Sequence, residues 1–452
     1  MSTVAIAAPM TAQVRAGSPP RSAQIHLLNA PHGAQLFVVD GSRLYDLPDD
    51  LADAFRAALD RGDDAVARLV ETSGIAALRA VDDVPLAPMP AHALSLAIAQ
   101  KCNLGCTYCY AQQGAFGGPA RQMPFDVAQR SIDLLIDGAT PGAKVNLAFL
   151  GGEPLQNRHV LREATEYATR TAAERGVRIG FSITTNGTLI KPADADFFER
   201  HGFAVTVSLD GPAAQHDRLR PLKNGRGSFD LIMRQIAPLL ERQRRMQVSA
   251  RVTVTPSNMD LPETLALFVG MGVHSVGFSP LLRAPNGRDE LNAHELDAML
   301  EGMIACGLAF EEHVVAGRRY PFLNMVNALR ELDRGSHRPY PCGAGAGYFG
   351  VSAEGDLAAC HRFVGDEQGQ FGHVSTGIDV DKQRTWLAQR HVHAQSPCNG
   401  CWARYLCGGG CHHEVLARGR GACDYIRGWL HYTIQAHGRL TRLAPHWFGA
   451  AP

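Results

Sequence analysis

The chain has no run of 18 apolar residues and no excess of either charge, with Lys+Arg and Asp+Glu equal at 44 each. The first absence argues against a membrane-spanning helix, and the charge balance against a polyanion such as nucleic acid as partner. The N-terminal stretch MSTVAIAAPMTAQVRAGSPPRSAQ lacks a basic region ahead of an apolar core. It reads as a floppy tail over residues 1–24 rather than a signal peptide, so a cytoplasmic location is expected. No internal repeat and no low-complexity tract appears. Against these absences stand eleven cysteines in 452 residues. In a long chain without a secretory signal they point to metal rather than to a disulfide framework.

Periodicity divides the chain. Residues 25–92 read as a small α+β unit. Leu36–Val39 and Ser42–Tyr45 flank Asp40-Gly41, a hairpin signal, and Leu51–Leu59 and Ala65–Val70 carry helical spacing. Pro85, Pro88 and Pro90 mark a linker. Residues 93–320 then alternate. Strand-like runs at Leu94–Ala99, Val145–Leu150, Ile179–Thr185, Ala204–Leu209, Val248–Thr255 and Ser275–Pro280 are separated by helical stretches such as Phe125–Ile136, Arg158–Arg175 and Phe229–Arg244. Six strand–helix repeats predict a parallel sheet with right-handed crossovers, an α/β fold curled into a partial (β/α)6 barrel of the TIM type. A further helix is expected at Ala293–Val315. Residues 321–340 read as a linker, 341–432 as an irregular cysteine-rich domain, and 433–452 as a C-terminal tail.

Cys102, Cys106 and Cys109 fall just past the first barrel strand, spaced C-x3-C-x2-C. Ligands of parallel βα folds bind at strand C-terminal ends, so the motif sits where an active site belongs. Three thiolates on a [4Fe–4S] cube leave one iron open to a chelating ligand. A zinc site is the rival, although zinc sites pair C-x2-C units with a distant pair. Gly151-Gly152-Glu153-Pro154 follows the second strand, where two glycines let backbone approach a ligand. Thr184-Thr185-Asn186-Gly187 ends the third strand and Ser208-Leu209-Asp210-Gly211 the fourth. Gly187 and Gly211 read as turn residues; Ser182, Thr184 and Ser208 read equally as cofactor contacts or as ordinary strand residues. Arg220, in HDRLR, is either a bidentate partner for a cofactor carboxylate or a solvated surface arginine.

Taken in this order, C-x3-C-x2-C, GGEP, TTNG and VSLDG resemble the radical S-adenosylmethionine (SAM) superfamily over residues 93–320. The resemblance implies that Cys102, Cys106 and Cys109 hold a [4Fe–4S] cluster whose fourth iron is chelated by SAM. It implies that one electron cleaves SAM to methionine and a 5′-deoxyadenosyl radical, which takes a hydrogen atom from substrate. Tyr108 would lie near the adenine, and Gly151, Gly152 and Glu153 along the methionyl group. A reductant such as flavodoxin or ferredoxin would supply the electron.

Seven further cysteines, Cys342, Cys360, Cys398, Cys401, Cys407, Cys411 and Cys423, lie within 82 residues. Their spacing resembles the SPASM extension of radical SAM enzymes, which holds two auxiliary [4Fe–4S] clusters. The resemblance assigns Cys398, Cys401, Cys407 and Cys423 to the outer cluster and Cys342, Cys360 and Cys411 to the inner one. The inner set is one ligand short; a substrate thiolate, Asp366, His361 or His373 are the candidates. A zinc ribbon on Cys398, Cys401, Cys407 and Cys411 is the alternative and strands the other three. Cys306 reads as a buried, inert thiol on a helix. His391, His393, His412 and His413 read as supporting or surface groups.

The strings PYPCGAG, CHRFVGDE, CNGCWARYLCGGGCHH and CDYIRGWLHY are similar to those of thioether-forming peptide maturases, among them the maturases of quinohemoprotein amine dehydrogenase and of six-cysteine peptides. That implies a Cys-containing peptide or small protein subunit as substrate, with sulfur joined to a carbon of Asp or Glu. Carbon–carbon (cyclophane) or formylglycine products are alternatives within the same chemistry; a zinc-stapled, non-catalytic binding protein is the alternative outside it. No catalytic base is named by the sequence. Residues 25–92 resemble the winged-helix domains that add a leader peptide to a sheet edge, and the competing reading is a packing cap on the barrel.

Overall fold

The computed structural model describes residues 22–30, 33–75, 81–335 and 337–449. The expectation of a tail over residues 1–24 lies almost wholly outside them.

Near the N-terminus, Asp40 and Gly41 close the hairpin between β2 (Gly33–Val38) and β3 (Arg43–Leu47), with Gly41 at φ 92°. A strand not anticipated from sequence, β1 (Ile25–Ala30), pairs antiparallel with β2, so the small sheet runs β1-β2-β3. Helices α1 (Asp49–Arg61) and α2 (Asp63–Thr72) bury Phe55, Ala58 and Val66 against Ile25, Leu36 and Val38.

Beyond Pro90 the barrel begins with β4 (Ala93–Gln100), followed by the two-residue β5 (Arg121–Gln122). Helix α3 (Phe125–Asp137) leads to β6 (Lys144–Gly151), α4 (Arg158–Glu174) to β7 (Arg178–Thr185), and α5 (Pro192–His201) to β8 (Ala204–Ser208). Helices α6 (Ala213–Leu219) and α7 (Phe229–Arg242) precede β9 (Gln247–Val254), and α8 (Leu261–Gly270) precedes β10 (Ser275–Pro280). The order β10-β9-β8-β7-β6-β4 is parallel throughout, and each expected strand lies within a residue of its observed bounds.

β4 is buried at nearly every position, as a strand covered on both faces must be. β6, β7 and β9 alternate instead. Val145, Leu147 and Phe149, then Val248, Ala250, Val252 and Val254, are buried, while the residues between them keep contact with solvent. The second face of these strands is therefore polar and open rather than filled.

Helices α9 (Ala293–Val315) and α10 (Leu323–Asp333) follow. The segment after Arg338, expected to be irregular, adds four short strands. β11 (Tyr348–Val351) pairs parallel with β4, and β12 (Asp356–Ala358), β13 (Gln370–His373) and β14 (Gly377–Ile378) continue antiparallel from it. Strands of two to four residues carry too little alternation to be read from sequence. The rest is helical: α11 (Val380–Arg390), α12 (Arg404–Cys407), α13 (His412–Arg418) and α14 (Cys423–Leu443). α14 runs through residue 433, where the sequence reading placed the start of a tail. Its Thr433, Ile434, Ala436 and Leu440 are fully buried.

The chain forms two compact units. One comprises residues 86–292 and 343–387; the other comprises the described residues among 22–85, 293–342 and 388–449. Units gathered from separate stretches do not follow the linear boundaries at 92, 320, 340 and 432. In the second unit Phe37, Leu332, Trp402, Tyr405, Leu406 and Ile434 share one core, so the N-terminal sheet packs with the cysteine-rich segment and α14. Buried Glu311 on α9 accepts hydrogen bonds from Tyr432 Oη (2.6 Å) and from Arg439 Nε and Nη2 (both 2.8 Å) on α14. Among the described residues no helix is long and apolar enough to cross a membrane.

Candidate functional site

The loop after β4 carries Cys102, Cys106 and Cys109. It is fixed by backbone bonds to the segment after α6: Gly105 N–H donates to Pro221 O (2.8 Å), Thr107 N–H to Leu219 O (3.1 Å) and Lys223 N–H to Asn103 O (3.3 Å). The Cys102 sulfur accepts from Leu104 N–H (3.5 Å) and Asn186 Nδ2 (3.6 Å). Burial pushes the Cys102 thiol above its ordinary range and Cys106 up to about 12; Arg220 opposes the shift at Cys106, while the neighbouring thiols add to it. Three thiols that repel one another as thiolates, with one nearby guanidinium, require added positive charge to ionise together. An iron–sulfur cluster meets that need, so the donor set fits the group that the sequence implies. Among the described residues no three Cys, His, Asp or Glu side chains converge closely enough for a single ion. A cube spreads its thiolates over separate irons.

At the strand ends the GGEP motif has a packing role. Gly152 N–H donates to Ala99 O (2.8 Å) and Glu153 N–H to Lys101 O (2.9 Å), so these amides are engaged by β4 and its continuation. A Cβ on Gly152 would meet Lys101 O at 2.2 Å and Gly114 Cα at 2.8 Å; one on Gly151, whose φ is 138°, would meet Ala99 O at 2.5 Å. The glycines let three backbone segments touch. Gly114, not singled out from sequence, is the third partner.

Glu153 is fully buried. Its Oε1 accepts from Leu155 N–H (3.0 Å) and Thr185 Oγ1 (2.8 Å), and its Oε2 from Asn186 N–H (2.8 Å). These acceptors are engaged inside the protein, so Glu153 braces β6 to β7. Burial nonetheless raises its pKa, with these donors opposing. Asn186, read from sequence only as part of a turn, passes the connection on to the cysteine loop through Cys102 and through Asn103 Oδ1 (3.0 Å).

Tyr108 and Arg220 are both buried, and they meet each other. Arg220 Nη1 donates to Tyr108 Oη (2.5 Å), Tyr108 Oη donates to Asp210 Oδ2, and Arg220 Nη1 lies 3.6 Å from that oxygen. Burial opposes the Arg220 charge, but Cys106, Tyr108 and Asp210 outweigh it and hold the guanidinium well above its ordinary pKa. Arg220 is thus neither a surface arginine nor free for a cofactor carboxylate through Nη1. Asp210 was missed because Asp-Gly is an ordinary turn pair. Its Oδ1 also accepts from Thr253 N–H (2.9 Å), and its own N–H donates to His216 Nδ1 (3.2 Å). Burial and Arg220 drop His216 to about 3, which keeps it neutral.

Ser182, Thr184 and Ser208 line the open face of the sheet. Thr184 registers with Thr206 of β8, and Ser208 with Arg251 of β9. Arg251 is exposed, donates through Nη2 to Ser279, and was not named from sequence. This hydroxyl-rich face suits a polar cofactor or substrate.

In the second unit Cys398, Cys401, Cys407 and Cys423 lie within electrostatic reach of one another, and burial raises Cys398 to about 11. Gly409 and Gly410, at φ 95° and 78°, donate N–H groups to the Cys407 sulfur. Arg420 attends Cys398 and Cys423, and Cys423 opens α14, whose N-terminus favours negative charge. Cys342 and Cys411 belong to this unit and Cys360 to the other. Of the candidates for a missing ligand, His373 uses both ring nitrogens, on Ser375 Oγ (2.7 Å) and Glu354 O (3.0 Å). Asp366 caps the following turn through Gln368 N–H (3.0 Å), and His361 Nδ1 bonds Tyr348 Oη (2.8 Å). Cys306 is buried on α9.

Residues 96–268 match the model of the Radical SAM superfamily. A serine-type anaerobic sulfatase-maturating enzyme of Klebsiella aerogenes is 28% identical over 365 residues, covering 76% of this chain and 86% of that one. Native anSMEcpe with bound AdoMet and the Kp18Cys peptide superposes with a TM-score of 0.64 at 20% identity, over 78% of this chain and 99% of that one. Streptococcus suis SuiB bound to the precursor peptide SuiA superposes with a TM-score of 0.53 at 14% identity, over 88% and 96%. The fold is thus an α/β partial barrel whose residues 96–268 match the Radical SAM model, and its architecture is shared with anSMEcpe across most of both chains.

Proposed function

We propose that this chain, built around a radical SAM domain, oxidises a side chain of a peptide or small protein, and that its product is a thioether joining a Cys sulfur to a carbon of Asp or Glu. The observation that carries the radical chemistry is the loop of three thiols at the end of β4, set beside a sheet face that is polar and open. When bound, the cluster and SAM supply a carbon radical able to take a hydrogen atom from an unactivated C–H bond. The protein holds the cysteine loop through Asn186 and the Tyr108–Asp210–Arg220 group, and offers Ser182, Thr184, Ser208 and Arg251 to cofactor and substrate.

A second reading, formylglycine formation, is favoured by relatives that are sulfatase-maturating enzymes. The thioether reading draws on the cysteine strings after residue 340. For the peptide, β3 supports strand addition: it ends the small sheet and carries no further strand among the described residues. Cys398, Cys401, Cys407 and Cys423 are proposed to hold one auxiliary cluster; Cys342, Cys360 and Cys411 are proposed for the other on the sequence resemblance alone.

Anaerobic reconstitution tests this. Three clusters predict about twelve irons per chain, and replacing Cys102, Cys106 and Cys109 by Ala leaves about eight while abolishing SAM cleavage. A thioether removes one C–H and one S–H hydrogen from the peptide and protects the cysteine from alkylation. An aldehyde that reacts with hydrazide identifies formylglycine instead. A colourless protein that leaves SAM intact sinks both readings.

A further inference from the structure

On the outer shoulder of the barrel, Leu155, Gln156, Arg158, His159, Arg162, Lys191, Ala193 and Asp194 line a depression of about 520 Å³. It lies where α4 and α5 begin, at the same end of the sheet as the cysteine loop. Its charge is unbalanced. Asp194 is 2% exposed and is held by Arg158 Nε (2.9 and 3.1 Å to its two oxygens), Arg162 Nη2 (3.0 Å) and Lys191 N–H (2.9 Å). Three cationic side chains, Arg158, Arg162 and Lys191, against one carboxylate leave a net +2 on this surface at neutral pH. Lys191 is exposed and the two arginines are partly so, which leaves that charge facing solvent.

The floor of the depression is wired to the cysteine loop. Leu155 N–H donates to Glu153 Oε1 (3.0 Å), Glu153 Oε2 accepts from Asn186 N–H (2.8 Å), and Asn186 Nδ2 donates to the Cys102 sulfur (3.6 Å). Three hydrogen bonds thus connect a cationic surface to a proposed cluster ligand.

We propose that this depression is the docking site of an acidic one-electron donor protein, and that Glu153 and Asn186 form the route by which its electron reaches the cluster at Cys102. The donor loses one electron and the cluster gains it; no bond is made or broken. Charge complementarity identifies the occupant: an acidic protein surface meets the net positive charge and is steered to it. The inference rests on the radical SAM activity proposed above.

The test uses the reconstituted full chain, an acidic flavodoxin in its fully reduced form, and the variant R162E/K191E, with R162Q/K191Q as the milder change. The reversal is expected to slow flavodoxin-driven bleaching of the cluster about tenfold or more, to weaken flavodoxin binding in calorimetry, and to flatten the salt dependence of both. The neutral variant falls between. Reduction by titanium(III) citrate, which needs no docking site, stays unchanged and certifies the fold and cluster. Normal flavodoxin-driven bleaching in the charge-reversed variant overturns the proposal. So does equal slowing with both reductants. If the unaltered enzyme leaves SAM intact with titanium(III) citrate, the functional reading fails instead.

Discussion

At the scale of single residues, side chains singled out from the sequence meet protein partners that the motifs do not announce. Tyr108, Glu153 and Arg220 were singled out as cofactor contacts, and all three are buried at the cysteine loop or beside it. Yet Glu153 accepts three hydrogen bonds from the protein, and Arg220 faces Asp210 and Tyr108. Motif spacing brings residues to one end of a sheet, but it does not say whether a charged group meets a ligand or another residue. Asp210 decides this here, and Asp-Gly reads as a turn. Replacing it shows its weight. In Asp210→Asn the Arg220 cation stays buried with no carboxylate beside it, a situation that costs about 3–5 kcal/mol. The expected outcome is a matching fall in unfolding free energy by denaturant titration. Arg220→Gln added to Asp210→Asn should recover part of the loss, because the stranded charge is gone. A loss under 1 kcal/mol, or strict additivity of the two changes, would show that the pair carries little.

At the scale of elements, the six parallel strands were legible because each is long enough to show its pattern and each is followed by a helix of clear period. β1 escaped because IHLLNA shows no alternation, and β11 to β14 because they span only two to four residues. The join between strands at GGEP carries a packing role that its motif does not announce. Glycine there answers to β4 and Gly114, since a methyl group on Gly152 would overlap Lys101 O. That neighbour is backbone, so it cannot swing aside; overpacking of this kind costs about 1–3 kcal/mol. Gly152→Ala is therefore expected to lower the thermal midpoint of the metal-free chain as well as the iron content after reconstitution. A variant that melts normally but binds SAM poorly would return Gly152 to the ligand.

At the scale of the molecule, linear segmentation and physical units part company because the second unit draws on three separate stretches. No local pattern announces that residues 25–72 share a core with residues 398–434. The same blindness made residues 433–452 look like a tail, since α14 is recognised only once α9 is beside it. A chain ending at Tyr432 removes Ile434 and Leu440, each fully buried and worth about 1.5–3 kcal/mol. It also removes Arg439, leaving Glu311 buried with only Tyr432 as its donor from α14. That carboxylate then becomes a liability of about 3–5 kcal/mol, or takes up a proton. Because Cys423 begins the same helix, the damage should reach the Cys398–Cys401–Cys407–Cys423 group. Truncation at 432 is expected to yield a chain whose unit of residues 293–342 and 388–432 is cut early by protease, with iron content reduced by about four per chain. The barrel unit, which contains none of these residues, should keep its protease resistance. A truncated chain that resists protease like the full one would show that α14 beyond Tyr432 is dispensable.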